Sequence, residues 1–154
     1  MVDREIISIG SDHAGFDYKE MIKAWLMRNN YRVMDHGTFD KDSTDYPDYV
    51  HPLANSIEDG TARLGVLICG SANGVAMTAN KHQGVRAAIC WNNELAALSR
   101  QHNNANVICF AERFMEKELV LAMLETFLKT EFEGGRHQRR VEKIALNISL
   151  ETVK

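Results

Sequence analysis

The chain has few of the residues that staple or interrupt a fold. Two prolines in 154 residues, with no low-complexity stretch, leave no linker at which to divide it. Residues 1–154 therefore read as one domain, long enough to bury a core without covalent help. The three cysteines, Cys69, Cys90 and Cys109, are an odd number, and each lies in or at the end of an apolar run. With no C-x-x-C pair, they exclude a disulfide framework and a zinc knuckle, and they read as reduced thiols of a cytoplasmic protein. The six histidines include no pair at helical spacing with a glutamate between, and His36, His51 and His82 have no partner pattern, so no metal is expected. No apolar run approaches the roughly 20 residues that span a bilayer. The first residues, Met1-Val2-Asp3-Arg4-Glu5, lack the apolar core of a signal peptide. A net charge of -3 argues against broad binding to nucleic acid or to an anionic membrane, which needs a dominant basic surface.

What is present is alternation. Ile6–Ile9, Arg32–Met34, Gly65–Cys69, Ala87–Cys90 and Asn106–Phe110 are short apolar runs rich in β-branched residues, the mark of buried strands. Between and after them, Met21, Ile22, Trp25 and Leu26 recur at helical spacing, as do Leu119, Val120, Met123, Leu124, Phe127 and Leu128. This order implies βαβ units with right-handed crossovers. The expected architecture is α/β, a Rossmann-like three-layer sandwich around a five-stranded parallel sheet, with a C-terminal helix added.

In such folds ligands collect beyond the carboxyl ends of the strands. That rim receives Ser11-Asp12-His13-Ala14-Gly15 after the first strand and Gly70-Ser71-Ala72-Asn73-Gly74 after the third. A polar loop from Gly37 to Asp48 is long enough to fold over it. The second of these segments carries the most chemistry. A strand ends on Cys69 and opens into a glycine-rich turn, setting a thiol beside backbone N–H groups at the start of a helix, where negative charge is favoured. The pattern suits an anion with a base beside it. Taken alone, Cys69 reads more readily as a small buried hydrophobe. Asp12 and His13 form an acid–base or ligand pair, or else a helix cap with a histidine next to it. His102 lies at the end of a helical pattern that begins near Asn92, where the helix dipole also favours a histidine. Asn103, Asn104 and Asn106 suit turns, and Arg113 follows the fifth strand.

The glycine pair Gly134-Gly135 leads into a helical pattern. Arg136, Arg140 and Lys143 fall on one face of it and Val141, Ile144, Ala145 and Ile148 on another. Two guanidinium groups one turn apart make a good phosphate clamp, each offering a planar fork of donors; a solvated basic face is the plainer reading.

Together these segments resemble the RpiB/LacAB sugar-phosphate isomerase family, and within it the B-type ribose-5-phosphate isomerases. The resemblance is carried by Gly10–Gly15, Thr44–Pro47, Ile68–Ser71, Ala79–Lys81, Ser99–Asn103 and Gly134–Val141, in family order and spacing over nearly the whole chain. It implies an aldose–ketose isomerase acting on ribose 5-phosphate and ribulose 5-phosphate through an enediolate. Cys69 would move the proton between C1 and C2, and His102 would assist opening of the furanose ring. Asp12 and His13 would hold sugar hydroxyls, and Gly70, Ser71, Ala72, Asn73 and Gly74 would form the anion hole. Asn103 and Arg113 would complete the substrate contacts, Arg136 and Arg140 would hold the phosphate, and Tyr46 and His137 would line the site. The resemblance further implies no cofactor and no metal, and a homodimer or dimer of dimers whose active sites are shared between chains.

One departure stands out. Ala72 occupies a position where many members have glycine, and a methyl there opposes a positive φ. Members without the cysteine use a glutamate a few residues later; here Val75 stands in that region and leaves Cys69 as the evident base. A six-carbon sugar phosphate, such as allose 6-phosphate or galactose 6-phosphate, is the neighbouring alternative. A non-catalytic sugar-phosphate-binding module would explain the arginines and the glycine turn but give Cys69 and His102 no task. A nucleic-acid-binding tail is weaker still, because no aromatic residues interleave the arginines.

Overall fold

A computed structural model describes residues 3–147. Its strands are β1 (Ile6–Ser11), β2 (Arg32–Asp35), β3 (Leu64–Cys69), β4 (Ala87–Ile89) and β5 (Val107–Ala111). The helices are α1 (Phe16–Arg28), α2 (Pro47–Glu58), α3 (Asn73–Ala79), α4 (Asn93–Gln101), α5 (Lys117–Lys129) and α6 (Arg136–Glu142), with a single 3-10 turn at His13–Gly15. All five strands pair in parallel, in the order β2-β1-β3-β5-β4. The expected α/β sandwich is the one observed, and each expected strand lies within a residue or two of its place.

The central strand shows why. Leu-Gly-Val-Leu-Ile-Cys in β3 is buried at every position, as a parallel strand covered on both faces must be, so its sequence is a continuous apolar run rather than an alternation. Helix α5 buries Val120, Met123, Leu124, Phe127 and Leu128, one stripe at i, i+3, i+4, i+7 and i+8. Burial of such a side chain contributes about 1.5–3 kcal/mol. Helices α1 and α5 pack on one face of the sheet, with α4 beside α5, and α2 and α3 cover the other. Helix α4 starts where Asn92 Oδ1 accepts the Leu95 N–H at 2.8 Å, and α2 starts on Pro47. Both are ordinary start signals.

Two consequences of this topology position the site. The chain runs outward from β1 to β2 and then returns to the other side of β1 as β3, so the carboxyl ends of β1 and β3 flank a topological switch point, where open sheets bind ligands. Helix α4, between β4 and β5, and α5, after β5, each run back against the strand before them, so both end at the opposite, amino-terminal edge.

The C-terminal helix is shorter than its periodicity suggests. It ends at Glu142, with the Lys143 and Ile144 N–H groups bonding three residues back to Arg140 and Val141. The next segment is then captured by the turn after α3, where Gln83 Oε1 accepts the Leu146 N–H at 2.6 Å. Ile144 and Ala145 thus line a cavity with Val85 and Ala105 rather than continuing a helical face; Ile148, expected on that face, lies outside the described residues. Tertiary capture outweighs local helix propensity here.

Candidate active site

Cys69 is 4% exposed, and lies where β3 leaves the sheet, opposite Ala111 of β5. It forms part of the wall of a cleft of about 610 Å³ shared with Asp12, His13, Ala14, Tyr46, Gly70, Ser71, Asn73, Gly74, Met77, Arg113 and Phe114. Each wall is held by the strand ends. The turns after β3 and β5 are tied together, since Glu112 N donates to Cys69 O at 3.0 Å and Arg113 N to Gly70 O at 3.2 Å. The Arg113 side chain then lies on Gly70, where a Cβ would meet Nη1 at 3.2 Å. Tyr46 lies on Gly74 more closely still: a Cβ there would meet its ring at 2.6–2.8 Å, so the residue type at 74 decides where that ring sits.

Asp12 caps the short turn after β1, its Oδ1 accepting from Gly15 N at 3.1 Å, yet it also faces the cleft; the cap and the site are the same residue. His13 Nδ1 accepts the Thr44 N–H at 3.2 Å, which leaves Nε2 as the proton-bearing nitrogen of the neutral ring. The polar loop therefore does reach the rim, and it brings Tyr46 with it. Ala72 adopts φ +67° and ψ -12°, so the left-handed turn forms despite the methyl. Its side chain is fully buried, and only its backbone is available to the turn. A left-handed residue at a helix start turns successive N–H groups toward one side, the concavity that receives anions; that of Asn73 is already engaged by Ser71 Oγ at 3.4 Å.

The other cysteines differ in kind. Burial pushes the Cys90 thiol up to about 11 and that of Cys109 well above its ordinary range, so both stay protonated.

A second cluster sits at the amino edge of the sheet. His102 caps the end of α4, and its ring stacks on that of His137 in α6, with centroids 4.2 Å apart and planes 11° from parallel. Glu133 Oε2 faces both, 3.9 Å from His102 Nε2 and 3.7 Å from His137 Nε2. Burial, then the neighbouring His102 and Arg136, hold His137 below its usual range, Glu133 opposing. Arg136 and Arg140 are exposed in α6, and like Arg113 they have no carboxylate within 4.0 Å among the described residues. Arg136 and Arg140 lie one turn apart on α6, so their guanidinium groups can together take an anion, whereas Arg113 stands apart in the Cys69 cleft. His102, Glu133 and His137 are also the only group of three metal-type donors among the described residues, with ligand atoms within 4.8 Å. Near-parallel ring planes share no point at which two imidazole lone pairs could meet, so the arrangement fits a shared proton acceptor better than a metal ion.

The sequence matches the model of the family described as Ribose/Galactose Isomerase over residues 7–144. The chain belongs to this family. It is 42% identical over 138 residues to ribose-5-phosphate isomerase B of Escherichia coli, covering 90% of this chain and 93% of that one. It is 44% identical over 141 residues to a probable ribose-5-phosphate isomerase B of Mycoplasma genitalium, covering 90% and 92%. Among solved structures, it is similar to a ribose 5-phosphate isomerase from Thermotoga maritima, with a TM-score of 0.91, 43% identity and coverage of 93% and 99%. It also resembles ribose-5-phosphate isomerase B from Mycoplasma genitalium with bound ribulose-5-phosphate, with a TM-score of 0.86, 42% identity and coverage of 90% and 93%.

Within this Ribose/Galactose Isomerase chain the expected residues fall into two groups. Asp12, His13, Tyr46, Cys69, Gly70, Ser71, Asn73, Gly74 and Arg113 meet in the cleft, whereas Ala72, His102, Asn103, Arg136, His137 and Arg140 do not line it. Asn103 instead lines the cavity that holds Ile144, and Asn106 is no simple turn former, since its amide bonds Arg86 N at 2.8 Å and Gly84 O at 2.9 Å. Sequence reasoning missed Met77 and Phe114, 67% and 68% exposed beside the cleft; for Phe114 the available signal was a large apolar side chain in a polar turn, and Met77, inside α3, gave none. It also missed Glu133. His51 and His82, which have no partner pattern in sequence, meet in the fold: His51 Nδ1 lies 2.7 Å from His82 Nε2, and His82 Nδ1 lies 2.6 Å from Glu58 Oε1.

Proposed function

We infer that the chain is an aldose–ketose isomerase that interconverts D-ribose 5-phosphate and D-ribulose 5-phosphate through an enediolate. The observation that carries this reading is Cys69 in the wall of the switch-point cleft, next to the Gly70–Gly74 turn, in a chain that belongs to this family. Cys69, as thiolate, removes the C–H proton of the open-chain sugar, and the negative charge that develops on oxygen meets the backbone N–H groups of the turn. Removing one such donor typically costs about 3 kcal/mol of transition-state stabilisation. Asp12, His13 and Asn103 hold hydroxyls, Tyr46 and His137 line the site, and Arg113, Arg136 and Arg140 receive the phosphate, whose binding energy orients the reacting carbon.

The working unit is a homodimer or dimer of dimers. Cys69 stands at the carboxyl end of the sheet and His102 at the end of α4, at the other edge, and the six residues of β3 alone span roughly 20 Å. One chain cannot bring the two together, so His102 and the α6 arginines serve the cleft of a second copy. Exposed Met77, Phe114, Trp91 and Leu95 give that copy an apolar seat. Catalysis requires no metal and no cofactor, and the setting is cytoplasmic.

Purified protein assayed in EDTA with ribose 5-phosphate, allose 6-phosphate and galactose 6-phosphate tests the reading. Turnover with ribose 5-phosphate preferred is expected. A six-carbon preference would change the sugar and keep the chemistry, and binding without turnover would remove the enzyme assignment.

A further inference from the structure

The stacked pair His102–His137 shares a carboxylate with no assigned task. We propose that Glu133 is the positioning residue that holds His102 for opening of the sugar ring. This rests on the isomerase reading above.

An exposed ion pair contributes little on its own, but this one is built. Glu133 N donates to Gln101 O at 3.1 Å, which pins the residue to the end of α4 immediately before His102. Gly134 and Gly135, with φ of +66° and +54°, then turn the chain so that His137 arrives over the His102 ring. Both imidazoles direct Nε2 toward the same Oε2, and closing either gap to hydrogen-bond length takes roughly an ångström. The His102 and His137 side chains are 37% and 11% exposed, so His102 is the ring a sugar can reach.

The chemistry follows from which nitrogen is occupied. With Nε2–H directed to Glu133, His102 keeps Nδ1 as its free acceptor. Nδ1 takes the proton from the anomeric hydroxyl as the C1–O4 bond breaks and the C1=O1 bond forms, and the imidazolium returns a proton to O4, so none is gained or lost. Two stacked imidazolium ions would repel. The groups facing the pair are Glu133, Arg136 and Arg140, and with both arginines acting against a charge on His137, the carboxylate serves the proton on His102. A carboxylate behind a histidine plays the same orienting and charge-stabilising part in hydrolytic triads.

Ribulose 5-phosphate supplies the test. Its C5 oxygen carries the phosphate, so it cannot close a furanose ring, and exchange of its C1 proton with deuterium oxide needs Cys69 chemistry without ring opening. In Glu133→Gln, turnover of ribose 5-phosphate should fall roughly 10- to 100-fold in kcat, part of what general acid–base catalysis supplies, with KM within about two-fold of the parent. Deuterium exchange into ribulose 5-phosphate should stay within about two-fold, and Glu133→Asp should recover part of the loss in kcat. If exchange falls in step with turnover, or if the parent isomerises while Glu133→Gln matches it in kcat, the role of Glu133 is overturned and the isomerase reading stands. A parent chain without turnover overturns both.

Discussion

The two halves of the proposed site are built by different means. The Cys69 half stands on strand ends, where register fixes each residue: Ser11 opposite Ile68, Cys69 opposite Ala111. Its side chains pack against backbone, as Tyr46 does on Gly74 and Arg113 on Gly70. The His102 half stands on helix ends, with exposed arginines and two left-handed glycines. Proton abstraction from carbon depends on sub-ångström placement, whereas capturing a phosphate dianion tolerates longer, softer side chains. The rigid half therefore suits the carbon chemistry, and the adaptable half suits the phosphate and the ring.

The sharpest way to break that division is Cys69→Ala. It should lower isomerisation by several orders of magnitude and abolish deuterium exchange into ribulose 5-phosphate, while the arginines still bind phosphate. Cys90→Ala and Cys109→Ala remove thiols that burial keeps protonated, so they should cost about 1 kcal/mol of stability with kcat preserved. Near-parental exchange in Cys69→Ala would assign the base elsewhere in the cleft, to Asp12 or His13.

The same contrast explains what the sequence disclosed. Strand-end residues were legible because β1, β3 and β5 are short apolar runs that end in polar turns, and a parallel sheet sends those turns to one rim. His102 was legible as a residue but not as a place. The alternation of β4, α4 and β5 already puts the end of α4 at the amino edge, an implication that only the connection's direction carries. The extent of α6 was hidden because the bond from Leu146 to Gln83 is tertiary. So were the His51–His82 contact, 31 residues apart, and the Glu133 carboxylate, whose meaning depends on two rings meeting. Ala72 was flagged as a residue whose methyl opposes a positive φ, and the left-handed turn forms there all the same.

If the halves belong to different chains, inactive Cys69→Ala and His102→Ala proteins mixed under conditions of subunit exchange should regain activity. One of the two sites in each hybrid dimer carries both mutations and the other neither, so up to roughly half the parental rate per hybrid dimer is expected when chains retain independent sites. Verified hybrids with no recovered activity would mean that the two halves never meet.

Arg136→Ala and Arg140→Ala test the softer half. On the proposed reading each removes a charge-assisted contact to a phosphate present throughout the reaction, worth about 1.5–3 kcal/mol. KM should rise roughly 10- to 100-fold with kcat changed by only a few-fold. A loss confined to kcat would move these arginines from binding to chemistry, and unchanged kinetics in both would remove them from the site.

The smallest effect should come from Ala72→Gly, in the rigid half. Relieving a left-handed alanine recovers roughly 1–2 kcal/mol, but deleting a fully buried methyl costs about 0.8 kcal/mol, and the freer unfolded chain costs about another 0.4–1 kcal/mol. These contributions nearly cancel, so stability measured by urea unfolding should stay within about 1 kcal/mol of the parent, and kcat should change less than two-fold because only the backbone of residue 72 serves the turn. Ala72→Val sharpens the argument in the opposite direction. A β-branched side chain is stiff and poorly suited to φ +67°, and the site has no room for two more methyl groups, so a loss of roughly 3 kcal/mol or more is expected. If Ala72→Val were as stable as the parent, the turn would have to relax out of the left-handed region, and the N–H groups assigned to the enediolate oxygen would lose the geometry on which that assignment depends.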